Sequence, residues 1–157
     1  MAEGSFITDE LRALIGVPSE TIVFKVEEGA IQRYAQAIGD PNPLFNDPDY
    51  ARKTRHGRLL APPGFTGWPV KVARTREKLF DSLLKAGGPA RILDGGVEFE
   101  FAEPIGAGDV LTATLRIASI TERETRLGKT MFTTAETTFL DQKGNVVLKS
   151  RSTLIHF

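Results

Sequence analysis

An α+β fold built on one antiparallel sheet is what this sequence predicts, and three observations carry it. Up to Lys85 the chain places apolar residues at helical spacing between glycine stops, whereas after Pro89 it runs in β-branched and aromatic stretches. The connections between those later stretches are short turns. Short turns between long strands call for antiparallel pairing, and an apolar helix early in the chain covers one face as a second layer.

Taken in order, Thr8 to Ile15 reads as a short helix ended by Gly16, and Thr21 to Val26 as a strand with Ile22 and Phe24 on one face. Ile31, Tyr34, Ala35 and Ile38 fall at i, i+3, i+4 and i+7 and make one helical stripe. Glu27 and Glu28 sit in its first turn, where carboxylates suit the helix dipole, and Gly39 is its stop. Pro41 and Pro43 then push Asp40 and Asn42 toward extended backbone, so the four residues make a stiff turn. A second short helix is expected near Asp47 to Lys53. An apolar loop from Leu59 leads to a longer helix over Trp68 to Lys85, with Pro69 in its first turn and Gly87-Gly88-Pro89 at its end.

Beyond Pro89, Val97, Phe99 and Phe101 alternate with Glu98 and Glu100. Leu111 to Ile120, Thr130 to Leu140 and Val146 to Phe157 are further strand-like runs. Their turns are Gly106-Ala107-Gly108-Asp109, Arg126-Leu127-Gly128 and Asp141 to Asn145.

A length of 157 residues with 41% hydrophobic content predicts one domain over residues 1–157. Twenty basic residues balance twenty acidic ones, which argues against a nucleic-acid binder. Between Ala51 and Arg91, however, ten Lys or Arg face only Glu77 and Asp81, a distribution that marks either a phosphate-receiving face or a solvated surface. The chain has no cysteine and two histidines, which excludes disulfides, thiolate zinc sites and cysteine nucleophiles and leaves no histidine-rich metal site. No metal and no cofactor are expected. Neither a leader-like start nor an apolar run of membrane-spanning length is present, so a cytoplasmic location is the default expectation.

The stretch Ala37-Ile38-Gly39-Asp40-Pro41-Asn42-Pro43-Leu44 resembles the hydratase motif of the MaoC-like dehydratases, in particular the subgroup with an N-terminal MaoC or FAS1-like dehydratase domain. Leu60-Ala61-Pro62-Pro63, Gly95 to Glu100 and Pro104 to Asp109 extend the similarity in the family's order over most of the chain. The resemblance implies a hotdog fold, a sheet wrapped around a central helix, usually dimeric. It also implies hydration of an enoyl thioester, or dehydration of a (3R)-hydroxyacyl thioester, carried on coenzyme A or acyl carrier protein. The family turn holds an Asp, an Asn and a His; Asp40 and Asn42 match the first two, and Phe45 stands at the third. Asp94 is a further departure, because relatives often carry a histidine before the paired glycines.

Adding water across an enoyl thioester needs a base for the attacking water, an acid for the α-carbon and donors for the enolate oxygen. Asp40 is the candidate base, under an apolar lid formed partly by Phe45, and Asn42 would hold the water or the carboxylate. Backbone N–H groups before the central helix would serve as oxyanion donors. Pro62 and Pro63 have none to offer, which leaves Gly64 and Phe65. His56, in the basic loop Arg55-His56-Gly57-Arg58, is a substitute acid or base, while His156 in the last strand reads as structural. Phe45 and Trp68 are candidate substrate contacts, and Arg52, Lys53, Arg55 and Arg58 are candidate partners for carrier phosphates.

Each choice has a plainer counterpart. An Asp past a helix end followed by Pro-Asn-Pro is also a turn former. Gly64 is equally a point of tight packing, and Phe65 and Trp68 equally core. Three functions therefore stand side by side: a hydratase or dehydratase working through Asp40, a non-catalytic hotdog subunit that shapes the acyl pocket for a complete partner chain, and a thioesterase. The thioesterase is disfavoured because Gly64 to Arg76 holds no acidic residue. Homodimer and heterodimer both remain open.

Overall fold

The computed structural model describes residues 4–65 and 70–157, without the side chains of residues 70–73. The elements are α1 (Asp9–Ala13), β1 (Ile22–Lys25), α2 (Glu28–Ala37), α3 (Pro43–Asn46), α4 (Pro48–Arg52), α5 (Val70–Lys85), β2 (Ile92–Phe101), β3 (Val110–Thr125), β4 (Gly128–Leu140) and β5 (Val146–His156). The strands form one sheet in the order β1-β3-β4-β5-β2, and every neighbouring pair is antiparallel. The expected α+β architecture is therefore present.

Local chemistry sets the helix ends. Thr8 caps α1, its hydroxyl accepting from the Leu11 N–H at 3.1 Å. Past α2, Gly39 takes a φ of 68°, which lets its N–H reach the Gln36 carbonyl and the Asp40 N–H reach that of Ala35 at 2.9 Å. Asp47 caps α4 by accepting from the N–H groups of Asp49 and Tyr50, with Pro48 in the first turn. The end of α5 repeats the α2 pattern, with Gly87 and Gly88 bonding back to Leu84 and Leu83. Trp68 and Pro69, expected to open that helix, lie outside the described residues.

The α2 stripe is shorter than its spacing predicts. Ile31 and Ala35 are fully buried and Tyr34 half-buried, but Ile38 is 53% exposed because it is the C-cap, where the chain leaves the helix. One sheet face carries two cores. The larger joins Ile31 and Ala35 to Phe45, Leu59, Phe65, Leu111, Phe139 and Leu148; the smaller joins Leu11 and Leu83 to Ile117, Ile120 and Met131. A register shift between Ile117 and Ser119 keeps both Ile117 and Ile120 facing inward. Thr75, Leu79 and Leu83 on α5, with Ala86 just past its end, lie at helical spacing toward the sheet, while Arg74, Arg76, Glu77 and Lys78 face solvent. No helix among the described residues is long and apolar enough to cross a membrane.

The loop after α4 is tied to the β2–β3 turn. Asp109, its side chain 7% exposed, accepts from both terminal nitrogens of Arg58 and from the Gly106 N–H at 2.9 Å. The Ala107 N–H donates to Leu59 and the Ala61 N–H to Ile105, so backbone bonds flank the ion pair on both sides. Removing one member of such a pair strands a buried charge. Arg58→Ala should cost about 3 kcal/mol in chemical denaturation, whereas Arg55→Ala on the exposed loop should stay within about 0.5 kcal/mol.

Candidate functional site

The turn after α2 is built from side chains that bond to their own backbone. Asp40 Oδ1 accepts from the Asn42 N–H at 2.9 Å, and Asn42 Oδ1 accepts from the Leu44 N–H at 3.0 Å, which makes Asn42 the cap of α3. Asn46 closes the unit, its amide donating to the carbonyls of Asp40 at 2.8 Å and Asn42 at 3.0 Å. Gln32 on α2 in turn donates to the Asn46 carbonyl at 3.0 Å. Asp40 is half-buried, and one of its oxygens is held by its own turn.

Phe45, expected as part of an apolar lid over that carboxylate, is a core side chain. It is 9% exposed, packs into the larger core, and forms part of the wall of an apolar cavity of about 380 Å³ with Leu44, Leu60, Pro63, Phe101 and Ile105. The chain's two histidines lie elsewhere. His56 Nε2 accepts from Arg55 Nε at 3.3 Å in the loop after α4, and His156 is buried at the end of β5.

Of the two amides chosen as oxyanion donors, that of Phe65 donates to the Pro62 carbonyl at 3.0 Å, so it is committed to its own turn, while the ring is core. That ring packs on Tyr34 with centroids 5.1 Å apart. Gly64 adopts a φ of 91°, a left-handed conformation that favours glycine, and a Cβ there would come within 3.1 Å of the Tyr34 hydroxyl. Trp68 lies outside the described residues.

The basic cluster is mostly engaged within the chain. Arg58 is held by Asp109, and Arg52 pairs with Asp49 one helical turn away. Arg52 and Arg58 do border a second cavity of about 460 Å³, but Glu27 and Glu28 line it together with Lys25. The part of the basic run that reaches this cavity therefore meets a lining of mixed charge.

Residues 13–150 match the family model of the FAS1-like dehydratase domain region. The chain belongs to this family of MaoC-like hotdog dehydratases. It is 32% identical over 139 residues to a probable enoyl-CoA hydratase alpha subunit of Thermomonospora curvata, a match covering 81% of this chain and 43% of that relative. The chain thus spans less than half of that protein's length. It is also 32% identical over 126 residues to a UPF0336 protein of Clavibacter michiganensis, covering 80% of each. In structure it is similar to the HadBC (3R-hydroxyacyl-ACP dehydratase) complex of Mycobacterium tuberculosis, with a TM-score of 0.74, 22% identity, and coverage of 90% of this chain and 96% of that one.

Within this dehydratase-family chain, two contributors to the site region escape a reading of local sequence. Asn46 is an ordinary helix residue by position, and its role exists only because α3 folds back on the Asp40 turn. Asp109 reads as a turn residue, and its partner lies 51 positions earlier.

The one clear histidine perturbation lies away from the Asp40 turn. Burial lowers the His156 pKa, only partly opposed by the bond from its Nδ1 to the Pro89 carbonyl at 3.3 Å; Nε2 is buried without a partner among the described residues. Because the folded state favours the neutral ring, this contribution is complete above the ordinary histidine value of about 6.5 and is lost as pH falls below it. Thermal melts of the chain between pH 7 and 5 should show a falling Tm, and the fall should be smaller in His156→Gln. At the turn, Asp40→Asn keeps an oxygen that can accept from Asn42, whereas Asp40→Ala does not. Denaturation should find the alanine variant destabilised by about 1 kcal/mol and the asparagine variant nearly unchanged.

Proposed function

We propose that this chain is the acyl-pocket half of a two-chain hydro-lyase that adds water to an enoyl thioester or removes it from a 3-hydroxyacyl thioester. The single observation that supports it is the buried Phe45 at the third position of the turn. Hydration moves two protons' worth of chemistry: water loses one as its oxygen bonds the β-carbon, and the α-carbon gains one. A turn with Asp40 and no imidazole lacks one of the two groups for that exchange, and the Asp40 carboxylate is partly engaged in holding the turn.

Phe45 instead contributes apolar wall. Together with Leu44, Leu60, Pro63 and Ile105 it borders a mostly apolar space of about 380 Å³ suited to hydrocarbon, with Glu103 the one charged residue in its lining. In this reading the chain accommodates the acyl tail, and a second hotdog chain brings the base and the acid. The thioester carrier is coenzyme A or acyl carrier protein, and Lys25 with Arg52 at the mixed cavity is the nearest provision for its phosphates. Two relatives are consistent with a divided enzyme: one bears the name of an alpha subunit, and the similar mycobacterial fold belongs to a complex.

The alternative is that Asp40 works alone with a substitute acid. Assaying the purified chain against crotonyl and longer enoyl thioesters on both carriers separates the two. The expected result is hydration no faster than in buffer. Turnover of about 1 per second or more by the lone chain, abolished in Asp40→Asn, would instead make Asp40 the catalytic base.

A further inference from the structure

Strand β2 ends the sheet, and its two faces carry different messages. On the core side, Val97, Phe99 and Phe101 pair in register with Ser152, Ser150 and Leu148, yet they are 53%, 39% and 42% exposed. An apolar row left open beside an unpaired strand edge is a surface that a further strand would cover.

The other face carries a charge pattern. Arg116 on β3 sits opposite Glu136 on β4, Glu136 opposite Arg151 on β5, and Arg151 opposite Glu98 on β2. The first three are joined by hydrogen bonds of 2.7 Å and 3.0 Å, and these bonds, Arg116 first, hold the Glu136 carboxyl below the ordinary carboxylate value against the effect of its burial. The row therefore alternates plus, minus, plus, minus across four strands and stops at Glu98. One row over, Lys149 on β5 lies opposite Glu100 on β2 in the same sense. Among the described residues neither Glu98 nor Glu100 enters an ion pair. The next strand in either row continues the alternation only if it presents a cation.

A second copy of this chain does not. The shift between Asp94 and Gly96 interrupts regular pairing and leaves Gly96 to Phe101 in one register; Gly96 keeps a φ of 116°, so the extended residues are 97–101, centred on Phe99. Two such strands paired antiparallel about Phe99 set Glu98 against Glu100 of the second copy, and do so twice. Centred one residue to either side, the pairing sets Glu98 or Glu100 against itself. Like charges directly opposite on neighbouring strands repel.

We infer that the β2 edge selects a different hotdog chain over a second copy of itself, and that the selected chain presents lysine or arginine on the solvent face of its pairing strand and apolar residues on the other. This deepens the two-chain reading above and takes its motive from it. Apolar burial on the core side provides the association, and the carboxylates on the outer side decide with whom.

The test needs no knowledge of the natural partner, because Glu98→Lys with Glu100→Lys turns the chain itself into a basic-edged probe. Sedimentation equilibrium is run on wild type, on the double variant and on their equal mixture, at low and high salt. The expected result is a mixed pair with a dissociation constant about tenfold or more below that of wild-type self-association at low salt, the gap narrowing at high salt. Self-association of wild type as tight as the mixed pair overturns the inference, and so does a mixture that stays monomeric. If melting shows that the lysine variant does not fold, Glu98→Gln with Glu100→Gln serves instead and should self-associate more tightly than wild type; equal self-association overturns the inference. The thioester assay is independent of these measurements. Turnover by the lone chain removes the two-chain enzyme while leaving the edge preference standing, and failure of the mixed pair removes the edge preference whatever the assay gives.

Discussion

A carboxylate with almost no water around it, Asp109, ties together the segments that border the two cavities. It receives two nitrogens from Arg58 and one backbone N–H from Gly106, and it thereby joins a loop that follows the small helices to the turn that starts the long central hairpin. The two cavities lie on either side of this junction. Leu60 and Ile105 belong to the apolar one, Arg58, Leu59 and Ala107 to the mixed one, and backbone bonds between these same segments hold their spacing. Buried ion pairs contribute little net stability, but they allow few alternative arrangements. Here that restriction acts on the separation of two pocket walls.

The Asp40 turn depends on the same kind of local economy. Asp40, Asn42 and Asn46 each serve backbone groups within six residues of themselves, and Gln32 fastens the unit to the helix before it. In a relative with an imidazole at the third position such a turn would aim reactive groups. With Phe45 there, the same backbone directs a hydrophobic ring into the core and the cavity wall. In the proposed two-chain reading, the scaffold of the turn stays in this chain and the chemistry is supplied by its partner.

How much of this is legible in the sequence follows from how local each cause is. Gly39, Gly87, Asp47 and Pro48 act within a few residues, so helix ends and turns can be read directly. The sheet was legible as alternating runs with short turns, though β3 continues to Thr125, five residues past the expected Ile120, because its partner β4 supplies matching positions. The fates of Ile38 and of the β2 row were not legible, since exposure depends on what else packs there. The pairing of Arg58 was not legible for the same reason: a run of cations along the chain says nothing about a carboxylate 51 residues away that claims one of them. The identity of the turn was legible through its resemblance to a family motif, whereas the commitment of the Phe65 amide to Pro62 required coordinates.

The kink between Asp94 and Gly96 also bears on solubility. A long, flat, sticky border would invite chain after chain to add on, the route by which sheet proteins grow into fibres. In this molecule the uniform part of that border is Gly96 to Phe101, and the opposite border, β1, is only Ile22–Lys25. The short β1 border does not repeat the surface that β2 offers, so edge pairing at β2 would close a couple and would not extend into an open-ended ribbon.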